Sequence, residues 1–306
     1  MPNASDPYPS ARGRAGRPVA RHGAFDSAHP SVPVAYFCGM AGLTMLCMHP
    51  VLVCVSLAGA VLFSALARGR RATLRGLRWQ LPMMLVIAAA NPLFSASGST
   101  CLLRVGAMSI YLESVCYGAC AAAMLAASVT WLECAAAVVT QDRLLALASN
   151  RLPVVALMVS MAARLVPTLV RRGREVMDVE RVVTGSRPDG WRERVADAGR
   201  VSGALVGWSL SDSLDSADSM RARGWGASER RTSYQPWAFR ASDAHALVGV
   251  VTLVATCGLL AWVACSQFRF YPTMSVLVPW WGYIPYAICA LLPSALQLRE
   301  ALAWRD

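Results

Sequence analysis

The 306-residue sequence contains no lysine: its 29 basic side chains are all arginines, and with 18 acidic residues they give a net charge of +11. A phosphate-binding loop of the Gly-Lys-Ser/Thr type requires a lysine beside the phosphates. The chain therefore does not bind and hydrolyse ATP through such a loop of its own, and a Schiff-base lysine is excluded for the same reason.

Charged residues of either sign are also few. They make up 15% of the sequence, whereas 56% is hydrophobic and the mean hydropathy is +0.42; soluble domains have about a quarter charged residues. Long windows carry no charge, which predicts an all-α polytopic membrane protein with its charges concentrated in loops. The arginine excess is explained by the positive-inside rule, so no nucleic-acid partner is expected.

Motifs for metal binding and catalysis are lacking as well. None of the ten cysteines forms a Cys-x-x-Cys pair, and the four histidines are scattered. The thiols are expected to be small buried hydrophobes, with no disulfide framework, metal site or cofactor. There is no nucleophile elbow, His-Glu-x-x-His or glycine-rich phosphate loop, so no catalytic residue is assigned and the chain is not expected to be an enzyme.

Composition divides the chain into five regions. About six membrane helices are expected, with a cytoplasmic helical region and with both termini in the cytoplasm. The regions are a disordered basic tail (1–31), membrane helices one to four (32–139), the cytoplasmic helices (140–243), membrane helices five and six (244–298) and the C-terminus (299–306).

The membrane segments carry several specific expectations. A tight turn at His49-Pro50 separates the first two, and arginines between 68 and 78 indicate a cytoplasmic loop. The third segment, 81–94, is short and interrupted at Asn91-Pro92, so a full span and a broken or re-entrant helix both remain open. Glu133 is read as a carboxylate near the inner interface, in preference to a proton or ion site.

The region 140–244 holds 16 of the 29 arginines and 12 of the 18 acids, and this charge predicts that it does not span the membrane. Its periodicity predicts one helix from Pro153, kinked at Pro167, and a second from Trp191 towards Gly224. Arginine and acid alternate, which favours a specific protein partner over an anionic lipid surface or a catalytic domain. Since the chain lacks a phosphate loop, an external ATPase is the natural partner.

The end of the second helix is the most informative stretch. Asp212, Asp215 and Asp218 share one face, beside an apolar stripe. Arg221 and Arg223 fall in the last turn, and Gly224 is expected to stop the helix in the left-handed conformation.

These residues carry a resemblance to a known family, the transmembrane T component of energy-coupling factor (ECF) transporters. The family has an Arg-Phe-Ile-Pro helix start and two Ala-Arg-Gly motifs that each end a coupling helix. The matching positions are Arg164-Leu165-Val166-Pro167 and Ala222-Arg223-Gly224, preceded by Asn91-Pro92-Leu93-Phe94, Leu112-Glu113, Tyr117-Gly118 and Trp131.

One position departs from the family pattern. Val183-Thr184-Gly185 occupies the place of the first Ala-Arg-Gly, so only its glycine is retained. Arg181 and Arg187 flank this degenerate motif, but neither stands on the motif position. The first arginine contact is therefore not carried over.

The resemblance implies a non-catalytic subunit of the bacterial or archaeal cell membrane. It would join two ABC ATPase subunits, which bind the ATP, to a small substrate-binding membrane subunit (the S component) for uptake of a vitamin, micronutrient or metal ion. The ATPase-coupling residues would be Asp218, Arg221, Ala222, Arg223 and Gly224. The alternatives are an ordinary ABC permease that forms its own path, and a secondary transporter, although no internal repeat is found.

Overall fold

The structure is a computed structural model, and it describes residues 25, 28–94, 99–105, 108–149, 152–184, 190–227, 239–271, 275 and 279–303. These residues form two compact units, one comprising residues 1–140 and 238–306 and the other residues 141–237. Gly185, Arg187 and most of the expected N-terminal tail lie outside the described residues.

The described part is helical, with one short hairpin. The elements are α1 (Ser31–Leu46), α2 (Pro50–Ala67), α3 (Arg70–Phe94), β1 (Cys101–Val105), β2 (Met108–Tyr111), α4 (Leu112–Val138), α5 (Gln141–Ser149), α6 (Pro153–Thr184), α7 (Trp191–Ala222), α8 (Ala241–Gln267) and α9 (Tyr283–Ala303). The antiparallel hairpin pairs Val105 with Met108 and was not expected from the sequence.

Within the described residues, four helices are long and apolar enough to cross a membrane: α2, α4, α8 and the first 28 residues of α6, Pro153–Glu180. Helix α1 is apolar but shorter, and α3 and α9 are not among the four. The all-α polytopic class is confirmed, whereas the count of six spans remains a prediction. The judgement that the whole region 140–244 is too charged to span did not anticipate α6, whose charges are concentrated after residue 170.

Helix α3 begins earlier than expected. The stretch between Arg70 and Arg78 is helical, which leaves only Arg68 and Gly69 between α2 and α3. The prediction of an arginine-rich loop was wrong because arginine is itself a good helix former. The same helix continues through Asn91-Pro92, where an interruption was expected.

The core of the membrane unit surrounds Trp131 of α4, which is fully buried. Its indole nitrogen donates to the Ser56 hydroxyl at 3.0 Å, and that hydroxyl lies 2.7 Å from the Thr44 hydroxyl. The Tyr36 hydroxyl donates to the carbonyl of Cys289 at 2.7 Å. Polar groups on α1, α2, α4 and α9 thus satisfy one another, as an apolar interior requires.

Small residues bring the helices of this unit close together. A Cβ atom on Gly118 of α4 would lie 2.8 Å from the carbonyl oxygen of Ala88 in α3. A Cβ atom on Gly59 of α2 would likewise lie 2.8 Å from the carbonyl oxygen of Ala290 in α9. Such approaches are available only to glycine, and small residues of this kind let membrane helices pack closely.

Two further sequence expectations can be compared with the fold. The turn at His49-Pro50 is confirmed, with Pro50 as the first residue of α2. Phe25, assigned to the disordered tail, is instead 4% exposed, and its ring lies 5.9 Å from that of Phe37. An aromatic side chain gains more from this burial than the tail's polar composition indicated.

Candidate functional site

Helix α7 ends in a Schellman motif. The Trp225 amide donates to the carbonyl of Met220 at 3.0 Å, and the Gly224 amide donates to that of Arg221 at 2.9 Å. Gly224 has φ +80°, as this motif requires at the residue after the cap. The prediction that Gly224 stops the helix in the left-handed conformation is confirmed.

The Ala-Arg-Gly sequence therefore has a defined place in this helix end. Ala222 is the last helical residue, Arg223 is the C-cap, and Gly224 turns the chain away. The Arg223 backbone amide is bonded to Ser219, so the backbone beneath its side chain is fixed. Arg223 itself is exposed. The helix end holds one guanidinium towards solvent at a rigid position.

Near its C-terminal end, α7 has exposed charged and apolar side chains that the other described residues leave open to solvent. Asp212, Asp215 and Asp218 are exposed, and Leu210 and Leu214 are more than 60% exposed. A further charge, on Arg221, lies 3.9 Å from the Asp218 carboxylate, and both side chains are about four-fifths exposed. An exposed pair of this kind contributes little stability and remains free to re-pair with a partner.

Helices α6 and α7 pack against each other as an antiparallel pair. The Arg200 guanidinium bonds to Glu180 of α6 at 2.8 Å and also to Asp197 of its own helix. The Glu180 hydrogen bond, helped by Asp197, raises the pKa of Arg200 above its ordinary value. This bridge fixes the end of α6 beside the beginning of α7.

A second contact lies further along the pair. The Arg172 guanidinium stands 5.3 Å from the centre of the Trp208 ring, a cation–π geometry. Next to it, a Cβ on Gly173 would lie 3.3 Å from Leu205. Between the two contacts runs a groove of about 630 Å³, lined by Val176, Val179, Val183, Val201 and Ala204 with charged residues at its rim.

The two motif positions lie at opposite ends of α7. Val183 lines the groove near Arg200 and is 81% exposed, and Thr184 is the last residue of α6. From Arg200 to Ala222 the helical rise of 1.5 Å per residue gives about 33 Å. The structure does not bring the degenerate first motif and Ala222-Arg223-Gly224 together.

The expected helix start at Arg164 and Pro167 is not a start. Both residues are exposed in the interior of α6, which begins at Pro153. The helix continues through Pro167, and the Thr168 hydroxyl donates to the carbonyl of Arg164 at 3.2 Å. The periodicity predicts this interior position, since it places one helix from Pro153 through Pro167; only the family resemblance implied a helix start at Arg164 and Pro167.

The first half of α6 is largely exposed, although Ala156 is buried. Val155, Met158, Val159, Val166 and Val170 are between 47% and 64% exposed. Only 6% of its apolar window is buried. A helix that is apolar all round is normally covered by a membrane or by protein, so this surface requires a cover in the working protein.

Both carboxylates of α4 have structural partners. Glu133 pairs with Arg68 and accepts a hydrogen bond from Gln80 of α3 at 3.4 Å. Glu113 accepts hydrogen bonds from the backbone amides and hydroxyls of Ser99 and Thr100. These contacts support the structural reading of Glu133 over an ion site.

Sequence reasoning missed the Arg200 bridge and the Arg172–Trp208 contact. The spacing of Asp197 and Arg200 was the available signal for half of the bridge, because residues three apart face each other on a helix. In the part of the chain that the structure describes, no three His, Cys, Asp or Glu side chains are grouped as metal ligands.

The sequence matches no known family of proteins, and no curated protein is significantly similar to it.

Proposed function

We propose that the chain is the membrane-embedded coupling subunit of an ATP-driven importer of the ECF type, transmitting the motion of two ATPase subunits to a separate substrate-binding membrane subunit. The observation that carries the proposal is the end of α7, where a Schellman motif holds Arg223 on a 32-residue helix. The resemblance noted for Ala222-Arg223-Gly224 supports the same role.

The helix has the properties of a lever. At 1.5 Å per residue, α7 is about 48 Å long, and it runs unbroken through three glycines. One end carries Arg223, and Arg200, nine residues after the first residue of α7, is bridged to Glu180 of α6. A displacement imposed at Arg223 therefore reaches α6 through a stiff element and a charge-assisted bridge.

Arg223 is suited to anchor the lever in an ATPase groove. A guanidinium offers five donors in a planar fork, and it pairs strongly with carboxylate or carbonyl groups once water is excluded. Asp218 and Arg221, one turn earlier, supply both signs of charge for the rim of such a contact. ATP-driven closure of the ATPase pair would then pull on a fixed point.

The substrate-binding subunit covers the exposed apolar half of α6 in this proposal. That surface consists of Val, Met and Leu side chains and carries one charge, Arg164, before residue 170. A small hydrophobic membrane protein matches it in polarity, whereas an ATPase does not. The two partners thus use different parts of the α6–α7 pair.

The test is co-purification from membranes that contain all subunits. Arg223→Glu is expected to abolish recovery of the ATPases while leaving membrane insertion intact. The matched control is Arg194→Glu, which reverses the same charge at an exposed position of the same helix and should retain the ATPases. Full transport by the Arg223→Glu variant would refute the role.

Reconstitution separates this function from its alternatives. An ordinary ABC permease forms its own path and would transport with ATPases alone, and a secondary transporter would transport as a single chain. We expect transport only when two ATPase chains and a small membrane subunit are all present.

A further inference from the structure

The first nine residues of α3 contain four arginines and no acid. All four side chains are exposed, and none forms an ion pair with another described residue: Arg70, Arg71, Arg75 and Arg78. Arg68 differs, because it pairs with Glu133 of α4. The start of a helix already carries partial positive charge, so arginines there are unfavourable on their own. An anionic partner would offset this repulsion.

Three of these arginines share one face of α3. With 3.6 residues per turn, Arg71, Arg75 and Arg78 fall within about 60° around the helix axis. The opposite side of the helix packs on its neighbours: the Thr73 hydroxyl lies 2.9 Å from a hydroxyl of α2, and the Gln80 amide donates to a carboxylate of α4 at 3.4 Å. The arginine face, Arg71, Arg75 and Arg78, is therefore turned away from the protein.

The same face becomes apolar further along the helix. Leu85 and Val86 continue the line of the arginines, roughly 10 Å beyond Arg78, and are 68% and 67% exposed. Trp79, which is 78% exposed, lies between the two parts, and indole rings are enriched where a membrane meets water. Helix α2, which is apolar enough to span, ends three residues before α3 begins. The arginines thus stand at the level of lipid headgroups, and the apolar strip lies deeper.

We propose that this face binds an acidic glycerophospholipid, with its phosphate on the arginine face and one acyl chain along Leu85 and Val86. A guanidinium pairs with phosphate through two parallel hydrogen bonds, which a lysine cannot form. A zwitterionic lipid would bring its own cation against the arginines and is disfavoured. Free phosphate would leave the apolar strip uncovered. The inference is independent of the coupling function proposed above.

The experiment incubates the delipidated full chain, in neutral detergent, with equal amounts of phosphatidylglycerol and phosphatidylcholine and counts retained lipids by native mass spectrometry. The wild-type chain should retain phosphatidylglycerol preferentially. In the double variant Arg71→Gln/Arg78→Gln this preference should fall at least about five-fold, the factor expected for losing one surface arginine. The charge-matched control Arg174→Gln/Arg194→Gln, at exposed positions of α6 and α7, should keep the preference.

Two further measurements separate a lipid from its headgroup. Leu85→Gln should also lower retention of phosphatidylglycerol, because the acyl chain loses its apolar contact. Glycerol phosphate, which has the headgroup without chains, should not displace the lipid at equal concentration. Displacement would mean that the face binds phosphate alone, and it would overturn the proposal.

The paired variants provide the decisive comparison. Glutamine is a good helix former and the substituted positions are exposed, so both double variants should unfold at the wild-type temperature in detergent. An equal loss of preference in the two variants would overturn the proposal, because net charge alone would then attract the lipid. An Arg71→Gln/Arg78→Gln chain that keeps its lipid but loses the ATPases in co-purification would show that the face binds protein instead.

Discussion

Arg223 and Gly224 are adjacent, but the helix end places different requirements on the two residues. Gly224 is required by the backbone, since its φ of +80° closes the Schellman motif. Arg223 has ordinary backbone angles, and nothing in the helix end requires an arginine there. The glycine is needed for folding, and in the proposed function the arginine serves recognition; a degenerate motif such as Val183-Thr184-Gly185 could then lack the arginine and keep the glycine.

The substitution Gly224→Ala tests the structural role of the glycine. Gly224→Ala should destabilise the helix end by about 1 kcal/mol, because a Cβ is unfavourable in the left-handed region. Hydrogen exchange of the amides from Met220 to Trp225 should become faster. Gly203→Ala, at an open position in the interior of the same helix, should slow exchange there by removing backbone entropy. Equal effects of the two substitutions would contradict this account.

At the degenerate motif Val183-Thr184-Gly185, a substitution is expected to maintain or strengthen assembly. Thr184→Arg restores an arginine at the last residue of α6. We expect assembly with the ATPases to be unchanged or stronger, measured as the amount recovered in co-purification. A loss of assembly would show that the threonine has a role of its own.

At the scale of the element, α6 combines two surfaces in one helix. Its second half packs on α7, and its first half is apolar and uncovered. Met158→Asp should therefore remove the small membrane subunit from the purified complex and leave the ATPases bound. Ser202→Asp places the same charge on an exposed polar position of α7, outside the apolar half of α6, and should leave both partners in place. Loss of the ATPases from the Met158 variant would mean that the two surfaces are not independent.

The close contact between α3 and α4 at Gly118 can be tested by comparing Gly118 with Gly42 of α1. Gly118→Ala would place a methyl group 2.8 Å from a backbone oxygen, and backbone cannot move aside cheaply. We expect a loss of about 1–3 kcal/mol, typical of overpacking, seen as a lower unfolding temperature in detergent. Gly42→Ala, in α1 with no atom within 4 Å of the added group, should be tolerated.

Elements with a local signal were predictable from the sequence. Pro50 opens α2, Gly224 closes α7, and long apolar runs mark α4 and α8. The start of α3 was missed because its arginines were interpreted as a loop, and the apolar half of α6 because the charge of region 140–244 was considered as a whole. The Arg200–Glu180 bridge and the pairing of α1 with α8 join distant parts of the chain, and no local pattern encodes them.

At the scale of the whole molecule, the connections between helices limit whether α6 can cross the membrane. Glu133 pairs with Arg68, so α4 ends beside the end of α2. His29 bonds to Asp243, so α8 begins beside the start of α1. Because α1 and α2 form a hairpin, all these points lie at one end of the membrane unit. A single crossing of the membrane by α6 would leave the chain on the side opposite to the start of α8.

Labelling with a membrane-impermeant thiol reagent tests this topology. In a background with Cys38→Ser and Cys54→Ser, Ser213→Cys in α7 should be labelled only from the cytoplasmic side. Gln267→Cys, at the end of α8, should be labelled from outside. Labelling of Ser213→Cys from outside would show that α6 crosses the membrane and that the region is not cytoplasmic.

The pairing of α1 with α8 also determines the order in which the protein can be completed on the ribosome. Asp243 follows His29 by 214 residues, which take roughly 10–40 s to synthesise at about 5–20 residues per second. During that time the face of α1 that contains Gly39 lacks its α8 neighbour Val254. Chains that terminate before α8 can insert but cannot bury this face, and they are the natural substrates of membrane quality control.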